Sequence, residues 1–263
     1  MRANYYQQFD ADFEKEVPAE GYGGWKTTEL AIEPEHTALV VMHAWETGTR
    51  EEYPGWHRAV EYMPRATEVS RTVFPKLLSA VRQSQMPLFH VVGGGKYYQH
   101  LPGYLHAAEI AETSPTPPES IQSSAGSERL RRFRSENVFV GRHNANDVEL
   151  GFAKLDFTPE ARPIGTEGIA ENARQLFALC KESGINHLVY VGFALNWCLL
   201  LSPGGMADMS KHGLLCSTIR QATTAVENRE TAREEVCKEI ALWRVALAFG
   251  FVFDLEDFLV GLK

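Results

Sequence analysis

The stretch GIAENARQLFALCKESGINHLVYVGFALNWC, residues 168–198, decides the fold class. Ile169, Ala173, Leu176, Phe177 and Cys180 recur at helical spacing, so Gly168 to Ser183 reads as a helix. Gly184 is suited to end it in a left-handed conformation. His187 to Val191 follows as a short apolar run, the signature of a buried strand. The turn Gly192-Phe193-Ala194-Leu195-Asn196-Trp197-Cys198 then leads into Leu199-Leu200-Leu201. Helix, strand and sharp turn in this order form the unit of an α/β protein.

Working outward, Thr37 to Met42 reads as a first strand, buried on both faces and near the middle of its sheet. Pro75 to Gln83 reads as a helix, with Leu77, Leu78 and Val81 on one face and Pro75 in its first turn. Pro87 to Val92 gives a second strand, closed by Gly93-Gly94-Gly95, and Asn137 to Val140 a third. His187 to Val191 is then the fourth, Gly213 to Ser217 the fifth and Ala246 to Phe253 the sixth. The alternation predicts a three-layer sandwich: a six-stranded, mainly parallel sheet with helices on both faces. Residues 1–36 read as an extension that wraps the domain or a neighbouring subunit, and residues 37–263 as one domain. The Pro/Ser-rich excursion at 113–127 reads as loop.

The 263 residues carry a formal net charge of −8, which argues against nucleic acid or an anionic membrane as partner. Arg129, Arg131, Arg132 and Arg134 form a local basic run, read as a solvated or intersubunit face. No apolar run approaches the ~20 residues of a spanning helix. The N-terminal MRANYYQQFDADFEKE lacks the pattern of a signal peptide. Cys180, Cys198, Cys216 and Cys237 are widely spaced, which fits a reduced, cytoplasmic setting.

Active sites of open parallel sheets gather at the carboxyl ends of strands. Four polar features fall there: His43, the Gly93 loop, Arg142-His143 and the turn leading to Cys198. If Asn196 is an N-cap, Cys198 lies in the first turn of a helix, where the dipole favours thiolate. The alternative is that Cys198 is a small buried hydrophobe.

These segments resemble the isochorismatase-like hydrolases, which include nicotinamidases and N-carbamoyl amidases. GFALNWC resembles their nucleophile turn, TALVVMH their first strand, and VFPKLLSAVRQSQMPLFHVV their first helix and second strand. GTEGIAENARQLFALCKESGINHLVYVG is similar to the helix and strand before the nucleophile, and ATTAVE to a later site loop. The resemblance runs from about Thr37 to Phe258. It implies a cysteine nucleophile at Cys198, a cis peptide before Ala194, and an oxyanion hole made by the N–H groups of Ala194 and Cys198.

Family members add an aspartate after strand one and a lysine after strand three. Here His43 and Arg142 occupy those positions, and Gln221 replaces an acid of the late loop. Ser202-Pro203-Gly204-Gly205 interrupts the helix after the cysteine. Histidine can still carry the thiol proton, since its reference pKa is ~6.5. Arg142 cannot shuttle protons but can hold a thiolate or a carboxylate. The catalytic expectation is therefore Cys198, His43 and Arg142, with Trp45, Phe193 and Trp197 against the substrate. Trp56 is a further candidate for the pocket wall, and Glu46 for a substitute carboxylate. His57 lacks the Asp-x-His grouping of a metal site, so no metal and no cofactor are expected. Gly93-Gly94-Gly95 lacks the pattern of a phosphate loop. Three readings stay open: a hydrolase of carbon–nitrogen bonds in a small-molecule substrate, a noncatalytic binder of a small ligand or partner, and an assembly protein. A homo-oligomer is expected in each.

Overall fold

The computed structural model describes residues 1–111 and 120–262. Its strands are β1 (Arg2–Gln7), β2 (Gly24–Glu29), β3 (Thr37–Met42), β4 (Trp45–Glu46), β5 (Leu88–Val91), β6 (Asp156–Phe157), β7 (Gly168–Ala170), β8 (His187–Gly192), β9 (Leu215–Thr223) and β10 (Val252–Phe253). Its helices are α1 (Pro54–Ala59), α2 (Met63–Thr72), α3 (Phe74–Arg82), α4 (Pro102–Ile110), α5 (Ala125–Asn137), α6 (Ala145–Ala153), α7 (Ala173–Ser183), α8 (Met206–Met209), α9 (Val236–Ala248) and α10 (Leu255–Gly261).

Eight strands form one sheet in the order β2-β1-β10-β9-β8-β3-β5-β7. The run from β10 to β7 is parallel throughout, six strands in all. β3 lies inside it between β8 and β5, and every one of its residues is buried. Its side chains alternate between two cores, as the two-residue period of a strand requires. Ala38, Val40 and Met42 pack with Leu176, Leu179, Leu242 and Val245 of α7 and α9. Leu39 and Val41 pack with Phe74, Leu77, Val81 and Phe258 of α3 and α10. Helices therefore cover both faces, giving three layers. None is long and apolar enough to cross a membrane, among the described residues.

Residues 1–36 add the hairpin β1–β2, antiparallel to the rest of the sheet and paired with β10. Five assignments made from sequence need correction. Residues 137–140 are not a strand: Asn137 ends α5 and a turn follows, in which Val138 and Phe139 are exposed and only Val140 packs inward, beside Trp56 and Val148. The third parallel strand is instead Gly168–Ala170, so the helix begins only at Ala173, where the Asn172 side chain accepts the Gln175 N–H. Ile169 joins the helical spacing of α7 by coincidence and is buried in the sheet. The last strand is Val252–Phe253, since Ala246 to Ala248 complete α9, and the fifth extends to Thr223. Within the excursion, residues 113–119 lie outside the described residues. Residues 120–124 carry no regular structure, and 125–127 open α5 through a Ser124–Ser127 capping box.

Candidate active site

β3 and β8 end side by side, and Gly192 is what lets them. It has φ of 119°, and a Cβ there would stand 2.0 Å from the Met42 carbonyl oxygen. Phe193 N–H donates to that same oxygen at 3.1 Å. The Phe193–Ala194 peptide is cis, as the resemblance implied. Leu195 to Leu199 then make a single π-helical turn in which Leu199 N–H reaches Ala194 O at 3.1 Å. Ala194 occupies the cap position of this turn, and Asn196 does not.

Asn196 has a different task. Its Nδ2 donates to Val226 O and its Oδ1 accepts from Val226 N–H, both at 2.8 Å. Together with Leu195 N–H on Thr224 O at 2.7 Å, this pair latches the late loop onto the nucleophile turn. Beyond the latch, Glu227 accepts the N–H groups of Cys237 and Lys238 at 3.0 and 2.9 Å, tying the loop to the start of α9. Glu227 N–H donates to Glu61 at 3.1 Å, which brings the segment before α2 to the same place.

Cys198 sits half-buried in this turn, packed beside the α7/α9 core. Burial pushes its thiol up, and hydrogen bonds from the Ser202 side chain and the Ala194 backbone offset the rise only in part. The expected preference for thiolate is thereby reversed. A five-residue turn supplies little aligned dipole, and the sulfur has lost water. The inserted residues fold back on the cysteine's own turn. Ser202 N–H bonds Cys198 O at 3.0 Å, and the buried Tyr190 hydroxyl donates to Gly204 O at 2.8 Å. Sequence reasoning saw this insertion only as an interruption. It also missed Tyr62, whose phenol is pushed up by burial first and then by the charge of Cys198.

His43 follows β3 directly, in a left-handed conformation with φ of 52°. Its N–H bonds Val91 O at 3.0 Å and its ring stacks on Trp45, centroids 4.5 Å apart. Burial lowers the imidazole to about 4, so it is neutral near pH 7. Its Nδ1 is buried without a hydrogen-bond partner. Gly93 closes on the ring, since a Cβ there would meet His43 Nε2 at 3.4 Å. Trp45 donates to Tyr97 Oη at 2.9 Å and meets Phe152 edge-on. The His43 Nδ1 therefore makes no hydrogen bond to the Cys198 sulfur.

Arg142 lies apart. Its side chain is 77% exposed and pairs with Glu136 at 3.1 Å. Its backbone position follows from the missing strand: residues 137–140 leave the end of α5 in a turn and do not join the sheet. Phe193 is a core residue stacked on Phe74, whereas Trp197 is 57% exposed. Trp56 is buried with Met63, Val148 and Leu155. Glu46 is exposed and accepts the Gly48 N–H, and Gln221 joins Asp254 and the Leu255 N–H at the start of α10. His57 Nε2 is buried without a partner. No group of three or more His, Cys, Asp or Glu side chains is placed to hold a metal ion, among the described residues.

No protein-family model and no curated protein matches the sequence. Among solved structures the chain is similar to a cysteine hydrolase from Pseudomonas syringae pv. phaseolicola, at 14% identity and a TM-score of 0.52, over 89% of this chain and 95% of that one. It is also similar to an isochorismatase-like hydrolase from Alkaliphilus metalliredigens, at 17% identity and a TM-score of 0.49, over 87% and 98% of the two chains. An N-carbamoylsarcosine amidase from Thermoplasma acidophilum is similar at 14% identity and a TM-score of 0.44, over 84% and 97%. The first likeness extends over nearly the whole of both chains and bears on architecture alone. The chain has the α/β fold of that cysteine hydrolase.

Proposed function

We propose that the protein hydrolyses a carbon–nitrogen bond in a small amide-like molecule, with Cys198 as covalent nucleophile. One observation carries the reading: Cys198 stands half-buried in the tight turn that leaves the carboxyl end of the central strand β8. In this reading the thiol gives its proton to His43 as a carbon–sulfur bond forms. The carbonyl oxygen gathers charge beside the Ala194 and Cys198 N–H groups. The carbon–nitrogen bond then breaks, the leaving nitrogen takes the proton, and water releases the acyl group and restores the thiol. The neutral His43 imidazole is the form able to accept that proton, though burial makes it a weak base for a raised thiol. Trp45 and Trp197 are proposed as the walls of the substrate space. Arg142 is given no part, because Glu136 holds it at the surface.

A second reading, a ligand-binding protein without turnover, is favoured by the raised thiol and the displaced Arg142. A panel of primary amides and N-carbamoyl amines, followed by ammonia release and intact mass, separates the two. Hydrolysis predicts turnover, an acyl adduct on Cys198, and loss of both in Cys198→Ala. His43→Ala should lower the rate by ~10²–10⁴ with the fold unchanged. Absence of ammonia and of adduct across the panel, while Cys198 still alkylates readily, would leave binding as the function.

A further inference from the structure

Two exposed surfaces on this chain are opposite in charge and alike in apolar content. The first is the loop between β1 and β2. It shows Phe9, Phe13 and Val17 to solvent, with Phe13 86% exposed. Asp10, Asp12, Glu14, Glu16 and Glu20 surround them, against the single Lys15. The loop is folded on itself. Asp12 N–H bonds Pro18 O at 2.9 Å, Glu14 N–H bonds Asp12 Oδ1 at 3.1 Å, and Lys15 Nζ bonds Glu20 O at 3.3 Å. At its base, Trp243 donates to Gln8 at 2.9 Å, fixing the loop against α9.

The second surface is α5. None of its residues is buried. Leu130 and Phe133, one turn apart on the same side, are 69% and 62% exposed, and Val138 and Phe139 continue the apolar surface past its end. Arg129, Arg131, Arg132 and Arg134 flank them and enter no ion pair among the described residues. A helix with no buried face gains nothing from packing within its own chain, and helices of this length are marginal alone in water. The capping box at Ser124 stabilises its start but leaves the apolar side uncovered.

We infer that this chain pairs with a second copy of itself, the acidic loop of each copy seating on the arginine-bearing helix α5 of the other. Charge complementarity selects this occupant. An anionic membrane or a nucleic acid would attract α5, but it would repel the five carboxylates of the loop and a chain of net charge −8. A two-fold axis makes both contacts at once, and each copy then covers the other's exposed phenylalanines. The inference is independent of any catalytic role for Cys198.

Sedimentation velocity of the full-length chain tests it. The expected species is a dimer at low salt whose dissociation constant rises at least about tenfold in about 0.5 M salt, where the Debye length shrinks to a few ångströms. A first variant carries Glu at positions 129, 131, 132 and 134 (Arg129→Glu, Arg131→Glu, Arg132→Glu, Arg134→Glu). A second carries Asp10→Lys, Glu14→Lys, Glu16→Lys and Glu20→Lys. All eight side chains are exposed, so circular dichroism should show both variants folded. Each alone should be monomeric. Mixed, they should re-form a dimer, because acid then faces base at both contacts. If either fails to fold, Phe13→Ser and Phe133→Ser serve in its place, each expected to raise the dissociation constant at least about tenfold. A monomeric wild type, a dimer untouched by both reversals, or a mixture that stays monomeric overturns the proposal. So does wild-type chain that binds phosphatidylserine vesicles through α5 and does not self-associate.

Discussion

Glu167→Gln is the substitution whose effect can be worked most fully from the structure. The Glu167 carboxylate accepts from Arg82 Nε at 2.6 Å, from Arg82 Nη2 at 3.0 Å, from His90 Nε2 at 2.9 Å and from Ile164 N–H at 3.0 Å. It thereby joins the end of α3, the middle of β5 and the segment before β7. Burial opposes its ionisation, but the bonds from His90, Arg82 and Ile164 outweigh it and hold the carboxyl down from 4.5 to about 2. That displacement corresponds to about 3 kcal/mol of folding stability, somewhat less once solvent at the open side of the pair is allowed for. The folded value lies below the unfolded one, so the contribution is complete above about pH 5 and is lost as pH falls towards 2. His90 acts in the same sense, since burial lowers its imidazole and the unfolded chain binds that proton better. Urea unfolding at a series of pH values is the assay. At pH 7 the Gln variant should be less stable by about 2–4 kcal/mol, because Arg82 loses its counter-charge while remaining partly enclosed. The deficit should shrink steadily below pH 5, and the two curves should meet within about 1 kcal/mol near pH 2. Parallel curves, with a constant offset at every pH, would refute the reasoning.

Asn196→Ala removes both bonds to Val226 and should cost about 2–3 kcal/mol, with faster hydrogen exchange at the Val226 amide; unchanged exchange there would show that the latch does not hold the loop. Gly192→Ala should prevent stable folding, since the new Cβ overlaps the Met42 carbonyl at a backbone angle that alanine rarely adopts; soluble protein with a native unfolding midpoint would contradict this. Mass-mapped alkylation should modify Cys198 ahead of Cys180 and Cys216, whose thiols burial pushes up to about 12, and its rate should still climb above pH 9, as a raised thiol requires. A Cys198 rate already flat at pH 7 would mean a resting thiolate.

Much of the architecture was legible because fully buried strands leave unbroken apolar runs. Thr37–Met42 and His187–Gly192 are of that kind, and both lie at the centre of the sheet. Residues 137–140 looked similar but form a turn beyond α5, with Val138 and Phe139 exposed and Val140 packed on helices away from the sheet ladder. Gly168–Ala170 is only three residues long, and Ile169 falls in step with α7, so periodicity absorbed a strand into a helix. The expectation for Arg142 rested on the first of these assignments. Cys198 was visible from its turn, whereas Ser202, Tyr62 and the latch of Asn196 depend on contacts that no local pattern encodes. The Val226 partner of Asn196 is thirty residues away. Desolvation of the thiol is likewise a property of packing, and neither residue type nor spacing records it.

The pairing of β1 with β10 has a consequence for how the molecule opens and closes. Asn4 meets Val252 across that seam and its side chain donates to Asp254 at 2.8 Å, a contact spanning 250 residues. Closing so long a loop costs about 5 kcal/mol in chain entropy, which only the finished parallel sheet can offset. β1 and β2 need no such wait, since only sixteen residues separate Gln7 from Gly24. The hairpin should therefore form early as a local unit and dock late, and by the same energetics it should be among the first pieces to lift away. When it lifts, β10 becomes a bare edge carrying Val252 and Phe253, both otherwise fully buried. An exposed, apolar edge of this kind is a template for uncontrolled strand addition. The N-terminal hairpin thus acts as a guard on the sheet, and its tightness sets how readily the folded protein can seed aggregates.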